Sequence, residues 1–209
     1  AKEAVPQKTN VRESRMAESS VPARERSRAM QIRSRATSHD CRAARSLHTL
    51  TPFMLRMQEA LKARDFLASA SSVRCMCHSN PDGDAVGALL GFGLLLEKVF
   101  PEKPVFFQCV DGAPATFRFL PGALRVQEPS PEESSVVVIL DSAEPKLTGV
   151  HESYPQLFDG SMQTINIDHH PGNTRFATVN IILPEAASTC EIIVAIADLF
   201  TRDEFQPRL

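Results

Sequence analysis

Tryptophan is missing from this chain of 209 residues and tyrosine occurs once, so phenylalanine, at 12 residues, carries nearly all the aromatic packing. Long apolar runs are missing too. Residues 85–96 are apolar but stop at Glu97-Lys98, well short of the roughly 18–20 residues that span a bilayer. A strong net charge is absent: the formal value is −2. That average hides two unlike parts. Residues 1–50 hold 11 Lys and Arg against 5 Asp and Glu, a charge of +6, whereas residues 51–209 hold 12 against 20, a charge of −8. An acidic globular part is a poor non-specific partner for long duplex nucleic acid. It suits a small anionic substrate whose charge is met by bound metal. A disulfide framework is excluded by an odd, scattered set of cysteines at Cys41, Cys75, Cys77, Cys109 and Cys190. Cys75 and Cys77 flank Met76 in a strand-like run and read as small buried apolar residues. A zinc role would need a partner pair that the chain does not offer. The reducing cytoplasm is the default compartment. Neither a Ser-His-Asp elbow nor a Walker loop is present, and Gly91-Phe92-Gly93 falls inside a helical run where it would not cradle phosphate.

The length suits one substantial α/β domain. Residues 1–50 contain no aromatic residue and are rich in Arg, Ser and Ala, so residues 1–53 read as a disordered basic extension. A nucleic-acid tail and an organelle transit peptide are alternatives. The favoured reading is a translated upstream region, because Met54 or Met57 would open directly onto a first helix over Leu55–Ala68. From there the pattern alternates. Strands are predicted at Val73–Cys77, Val105–Val110, Val136–Leu140, Gln163–Ile167 and, as a short edge strand, Ala177–Ile181. Helices are predicted at Asp84–Val99, Ala113–Leu120 and Ser188–Phe200, the last opened by the capping box Ser188-Thr189-Cys190-Glu191. The β-branched run Val136–Leu140 marks a strand buried on both faces. Alternation of this kind predicts an α/β fold, a mostly parallel sheet with helices on both faces. Its ligand crevice should lie outside the carboxyl ends of the strands.

Metal-ligand residue types gather at those ends. Cys77-His78-Ser79-Asn80-Pro81-Asp82-Gly83-Asp84 puts an imidazole and two carboxylates within seven residues, on a turn that Gly83 bends. Asp141 follows the buried strand, and Asp168-His169-His170 follows the next. Each has an ordinary alternative: Asp84 as a helix N-cap, Asp82 as a turn residue, Asp141 as a loop cap with Ser142, the histidines as one core contact and one exposed residue. Mixed nitrogen and oxygen donors suit manganese, cobalt, iron or zinc better than magnesium. Two such ions would clamp a phosphoryl group and acidify a water, with Asp141 placed to bridge them. His169 could then be a ligand and His170 could face the substrate.

Taken together, residues 78–87, Leu140-Asp141-Ser142 and Asp168-His169-His170 resemble the first three motifs of the DHH phosphoesterase superfamily, and residues 186–193 resemble its following segment. The resemblance covers about 54–209 and is nearest the bacterial oligoribonuclease and PAP phosphatase (NrnA-like) branch. It implies a DHH catalytic lobe that binds two Mn2+ ions. His78, Asp82 and Asp141 would hold one; Asp84, Asp141 and His169 would hold the other. His170 would contact phosphate, and Asp168 would orient the histidines from behind. Short oligoribonucleotides and 3′-phosphoadenosine 5′-phosphate are the implied substrates, in a bacterial cytoplasm, with homodimerisation open. Cyclic-dinucleotide phosphodiesterase, pyrophosphatase and exopolyphosphatase are alternatives within the family, and a non-catalytic metal- or nucleotide-binding module is an alternative outside it. The family's fourth motif, a Thr-Asp-Thr-Gly-like segment, and its C-terminal substrate-binding lobe are not found; Asp198 and Asp203 are poor substitutes. The chain therefore reads as a truncated lobe, expected to turn over weakly or not at all by itself.

Overall fold

A computed structural model of the chain describes residues 57–130 and 135–201. The extension expected at 1–53, the opening of the first helix and Asp203 lie outside them. Helix α1 runs through 57–69, with Ala60, Ala63 and Leu67 buried at helical spacing. Its last turn leaves carbonyls without helical partners, and Lys103 donates to two of them, Leu67 at 2.8 Å and Ala68.

Five strands follow in one sheet: β1 Ser72–Cys77, β2 Val105–Gln108, β3 Ser135–Leu140, β4 Thr164–Asp168 and β5 Val179–Ile182. Every neighbouring pair is parallel, in the order β2-β1-β3-β4-β5. Helix α2 spans Gly83–Val99 and α3 spans Thr189–Thr201. The strand order reverses between β1 and β3, which is where an open parallel sheet leaves a crevice at its carboxyl edge. Register completes the placement. Cys77 pairs with Leu140, and Leu140 with Ile167. His78, Asp141 and Asp168 are the next residue on each strand, so they stand side by side along that edge.

The α/β architecture matches the sequence expectation, with a difference in how the two faces are covered. α1, α2 and α3 all join one apolar cluster, with Val73, Cys75, Cys77, Val136, Val138, Leu140, Ile165 and Ile167 of the sheet. The opposite face is covered by the β3–β4 connection, which packs Val150, Leu157 and Met162 over Met76, Val137 and Ile139 and whose helical parts are the 3-10 turns Pro145–Thr148 and Pro155–Leu157. The reason is local. Pro145, Gly149, Pro155 and Gly160 interrupt the β3–β4 connection, and Gly149 and Gly160 adopt positive φ, so no long helix can form there. The helix expected over Ala113–Leu120 is likewise a 3-10 turn, Ala115–Phe117. Among the described residues no helix is long and apolar enough to cross a membrane.

Gly93 lets α2 lie directly on β2. A Cβ there would come within 2.9 Å of the Cδ1 and Cζ atoms of Phe107, a fully buried ring. Gly93→Ala is expected to lower stability by about 1–3 kcal/mol through overpacking; a denaturant midpoint equal to the wild-type value would contradict the close packing.

Candidate metal centre

The turn after β1 sets the first group. The Nδ1–H of His78 donates to the Ser79 carbonyl at 2.8 Å. This fixes the tautomer and leaves the Nε2 lone pair facing Asp141 Oδ2, 3.7 Å away. Asp82 is the N-cap of α2: its Oδ1 accepts from the backbone N–H groups of Asp84 and Ala85, each at 3.0 Å. Its Oδ2 is left for other work. The ordinary reading of Asp84 as the cap of its own helix is therefore corrected, because Asp82 holds that position.

Asp84 instead reaches across to α3. Its Oδ2 accepts the N–H of Thr189 at 2.8 Å and its Oδ1 that of Cys190 at 3.0 Å. Ser188 Oγ accepts the next N–H, that of Glu191, at 3.0 Å, and the Glu191 carboxylate reaches back to the N–H of Ala187 at 2.7 Å. The expected capping box is thus present, with its return arm one residue earlier. The first turn of α3 is fully supplied with acceptors. Burial raises the Asp84 carboxyl, but hydrogen bonds from Cys190 and Thr189 and the neighbouring His169 outweigh it, and the net shift is downward. Gly87 makes the approach possible, since a Cβ there would stand 3.0 Å from Cys190 Sγ.

Asp141 lies at the centre. It is buried, at 3% exposure, and takes a left-handed backbone with φ 55°, unusual for a residue bearing a Cβ and common where a site constrains the chain. Its N–H continues the sheet ladder to Ile167 O at 3.0 Å, and its Oδ1 accepts from Thr189 Oγ1 at 2.9 Å. Burial first, and Asp84 beside it, push its carboxyl up, against the Thr189 hydrogen bond and the nearby histidines. His169 donates through Nδ1 to Ala186 O at 3.3 Å, so its Nε2 faces Asp84 Oδ2 and Asp141 Oδ1, each 3.8 Å away. His170 Nδ1 donates to Asp168 Oδ1 at 2.7 Å, and this bond, opposed by partial burial and helped by nearby carboxylates, raises its pKa. Asp168, completely buried, thus holds His170, while His169 is held by the Ala186 carbonyl.

Two groups of residues converge tightly enough to hold a metal ion: His78, Asp82 and Asp141, and Asp141, His169 and His170, with one donor atom from each residue within 4.8 Å of the others in its group. Asp84 joins the second group through its 3.8 Å approach to His169. The separations of 3.7–3.8 Å between imidazole and carboxylate atoms are too long for hydrogen bonds. They fall just inside two metal–ligand bonds of about 2.0–2.2 Å each. Among the described residues, no Lys or Arg ion pair reaches Asp82, Asp84, Asp141 or Asp168. The donor set therefore fits a divalent cation, which would supply the missing positive charge.

Sequence reasoning missed Thr189, Ala186, Asn166 and Asn173. Asn166 Nδ2 donates to Ile139 O at 3.1 Å and Ser142 O at 3.2 Å. Asn173 Nδ2 reaches Asp168 Oδ2 at 2.6 Å and Asn166 Oδ1 at 2.8 Å. The signal was present in one case: an Asn inside the apolar run 164–167 must find buried partners.

Comparison with known proteins bears on the family and the fold. The model of the DHH family, N-terminal domain, matches residues 72–208. A curated relative from Thermus thermophilus, described as a bifunctional oligoribonuclease and PAP phosphatase NrnA, is 34% identical over 125 residues, which cover 58% of this chain and 35% of that protein. The chain thus spans about a third of the length of that relative. The crystal structure of an exopolyphosphatase-related protein from Bacteroides fragilis superposes with a TM-score of 0.61 at 21% identity, covering 72% of this chain and 46% of the other; it shares the fold.

Proposed function

This chain belongs to the DHH family, and from that premise we propose that it forms the metal-binding lobe of a manganese-dependent phosphoesterase acting on short oligoribonucleotides and 3′-phosphoadenosine 5′-phosphate. The observation that carries the proposal is the convergence of two ligand groups on one buried carboxylate, Asp141. The substrate class follows from what the Thermus relative is described as doing.

His78, Asp82 and Asp141 would hold one Mn2+, and Asp84, Asp141 and His169 would hold the second. Each oxygen of Asp84 accepts one α3 amide and retains a lone pair that would be available to a cation. When bound, the ions supply Lewis-acid charge for the phosphoryl group and lower the pKa of water. The chain's own residues do the rest. The carbonyls of Ser79 and Ala186 fix the tautomers of His78 and His169. His170, its Nδ1–H committed to Asp168 and its pKa raised, presents Nε2 to the phosphoryl oxygens or the leaving group.

In a protein that carries this chain at the full length of the Thermus relative, manganese is expected to support hydrolysis of the diribonucleotide pApA and of 3′-phosphoadenosine 5′-phosphate, with pyrophosphate left intact. Pyrophosphate hydrolysis without the other two would overturn the substrate assignment. Asp82→Ala and His169→Ala should each abolish manganese-dependent turnover; activity retained in either would remove that residue from the ligand set.

A further inference from the structure

Behind the ligands lies a polar layer that the roles above leave unused. Asn173 Nδ2 faces three oxygens: Asp168 Oδ2 at 2.6 Å, Asn166 Oδ1 at 2.8 Å and Ser142 O at 3.2 Å. An amide nitrogen carries two hydrogens, so the two short contacts are its principal bonds and the third is shared. The orientation of the amide is determined by its surroundings. Asn173 Oδ1 accepts the N–H of Arg175 at 2.7 Å. A flipped amide would set its oxygen against three acceptors. Asn166 is fixed in the same way, its Nδ2 on the carbonyls of Ile139 and Ser142 and its Oδ1 on Asn173. The backbone is drawn in as well: Asn173 N–H donates to His170 O at 3.2 Å, and Arg175 takes φ 54° to complete the turn.

We propose that Asn173 is a positioning residue that acts through Asp168 to hold the His170 ring and, through Asn166 and the Ser142 carbonyl, ties it to the turn that carries Asp141. Asp168 offers one oxygen to His170 Nδ1–H and the other to Asn173, so its carboxylate plane is held from both sides. Without Asn173 the buried carboxylate loses a donor and is free to rotate, and the imidazole rotates with it. His78, Asp82, Asp84, Asp141 and His169, the ligands proposed above, each have an orienting partner outside this layer, and His170 is not one of those ligands. Loss of Asn173 should therefore spare metal binding and damage the step that uses His170. The kinetic part of this inference rests on the proposed role of His170 at the phosphoryl group.

The test pairs Asn173→Ala with Asn173→Asp. The aspartate keeps the acceptor that Arg175 N–H uses and replaces the amide donor to Asp168 by a carboxylate oxygen, so it separates positioning from loop folding. In this chain labelled with 15N-histidine and free of metal, the hydrogen-bonded Nδ1–H resonance of His170, assigned by its loss in His170→Gln, should be present in the wild type and absent in both variants. In a protein that carries this chain at the full length of the Thermus relative, either variant should lower kcat about 10–100-fold, with KM and the manganese dissociation constant unchanged within about two-fold. Adding His170→Ala should cost no more than His170→Ala alone, because both changes remove the same contact. The proposal is overturned if the resonance persists in Asn173→Asp, or if the losses multiply in the double variant. A wild-type protein without phosphoesterase activity would refute the functional reading, while the ring resonance would still decide whether Asn173 positions His170.

Discussion

Replacing Asp141 by alanine is expected to reduce manganese-dependent turnover by about a thousandfold or more and to weaken both metal sites at once. Asp141 is the one residue common to both convergent groups, so its removal weakens both sites together. Metal ions at phosphoryl centres contribute several kcal/mol of transition-state stabilisation, and each 1.36 kcal/mol is a factor of ten in rate. The effect on the metal-free fold should be small. Burial and the neighbouring Asp84 hold the carboxyl above its ordinary range, so its charge is poorly tolerated in the folded chain. Removing it relieves that cost while forfeiting the 2.9 Å hydrogen bond from Thr189. The two changes oppose each other. Calorimetry with and without manganese separates the effects: the wild-type melting temperature should rise with added metal, by mass action on the folded state, and that of the alanine variant should not. A manganese-induced rise preserved in Asp141→Ala would show that the ion sits elsewhere.

Asp84→Ala should produce the opposite pattern, a loss of fold stability that is visible without metal. Both oxygens of Asp84 cap α3, at Thr189 and Cys190, and α3 contributes Ile192, Ile193, Ile196 and Phe200 to the core. Loss of a helix cap costs about 0.5–2 kcal/mol, and leaving a partly buried donor without a partner about 1–3 kcal/mol. A combined loss of about 2–4 kcal/mol is expected in urea unfolding of the metal-free chain. Asp82→Ala, which removes only the cap of its own helix, should cost about 1 kcal/mol. Equal losses in the two variants would contradict the cross-helix role of Asp84. Acid adds a second readout. The folded pKa of Asp84 lies below its ordinary 3.8, so its stabilisation is complete above that value and disappears as pH falls through the lower folded value. The alanine variant, already without it, should lose less stability over that window than the wild type.

How far these effects could be read in advance differs from residue to residue. His78, Asp82, Asp84, Asp141 and the triplet at 168–170 were legible because each follows an apolar run at a strand's carboxyl end, and parallel register then aligns the ends without further information. Cys75 and Cys77 were legible as buried residues because alternation along a strand assigns faces. The ordinary alternative for Asp84, a helix cap, belongs to Asp82 instead, and the two are hard to separate because both stand at the start of α2. Local spacing cannot tell which of two turn residues folds back and which reaches out. On the second face the helices are short 3-10 turns, because Pro145, Gly149, Pro155 and Gly160 break a connection that would otherwise suit a long helix.

By itself, the sequence determined which metal-ligand residue types this protein carries, that they sit at strand ends, and that the strands are parallel. These follow from side-chain type and from periodicities of two and 3.6 residues, which act over a few neighbours. Tertiary structure alone decided how those side chains are held. Asp84 meets Thr189 across 105 positions of chain, Asp141 meets Thr189 across 48, and Asn173 meets Ser142 across 31. Such hydrogen bonds form because packing α3 against α2 and the sheet buries donors and acceptors that must then find one another, and no local pattern carries that requirement.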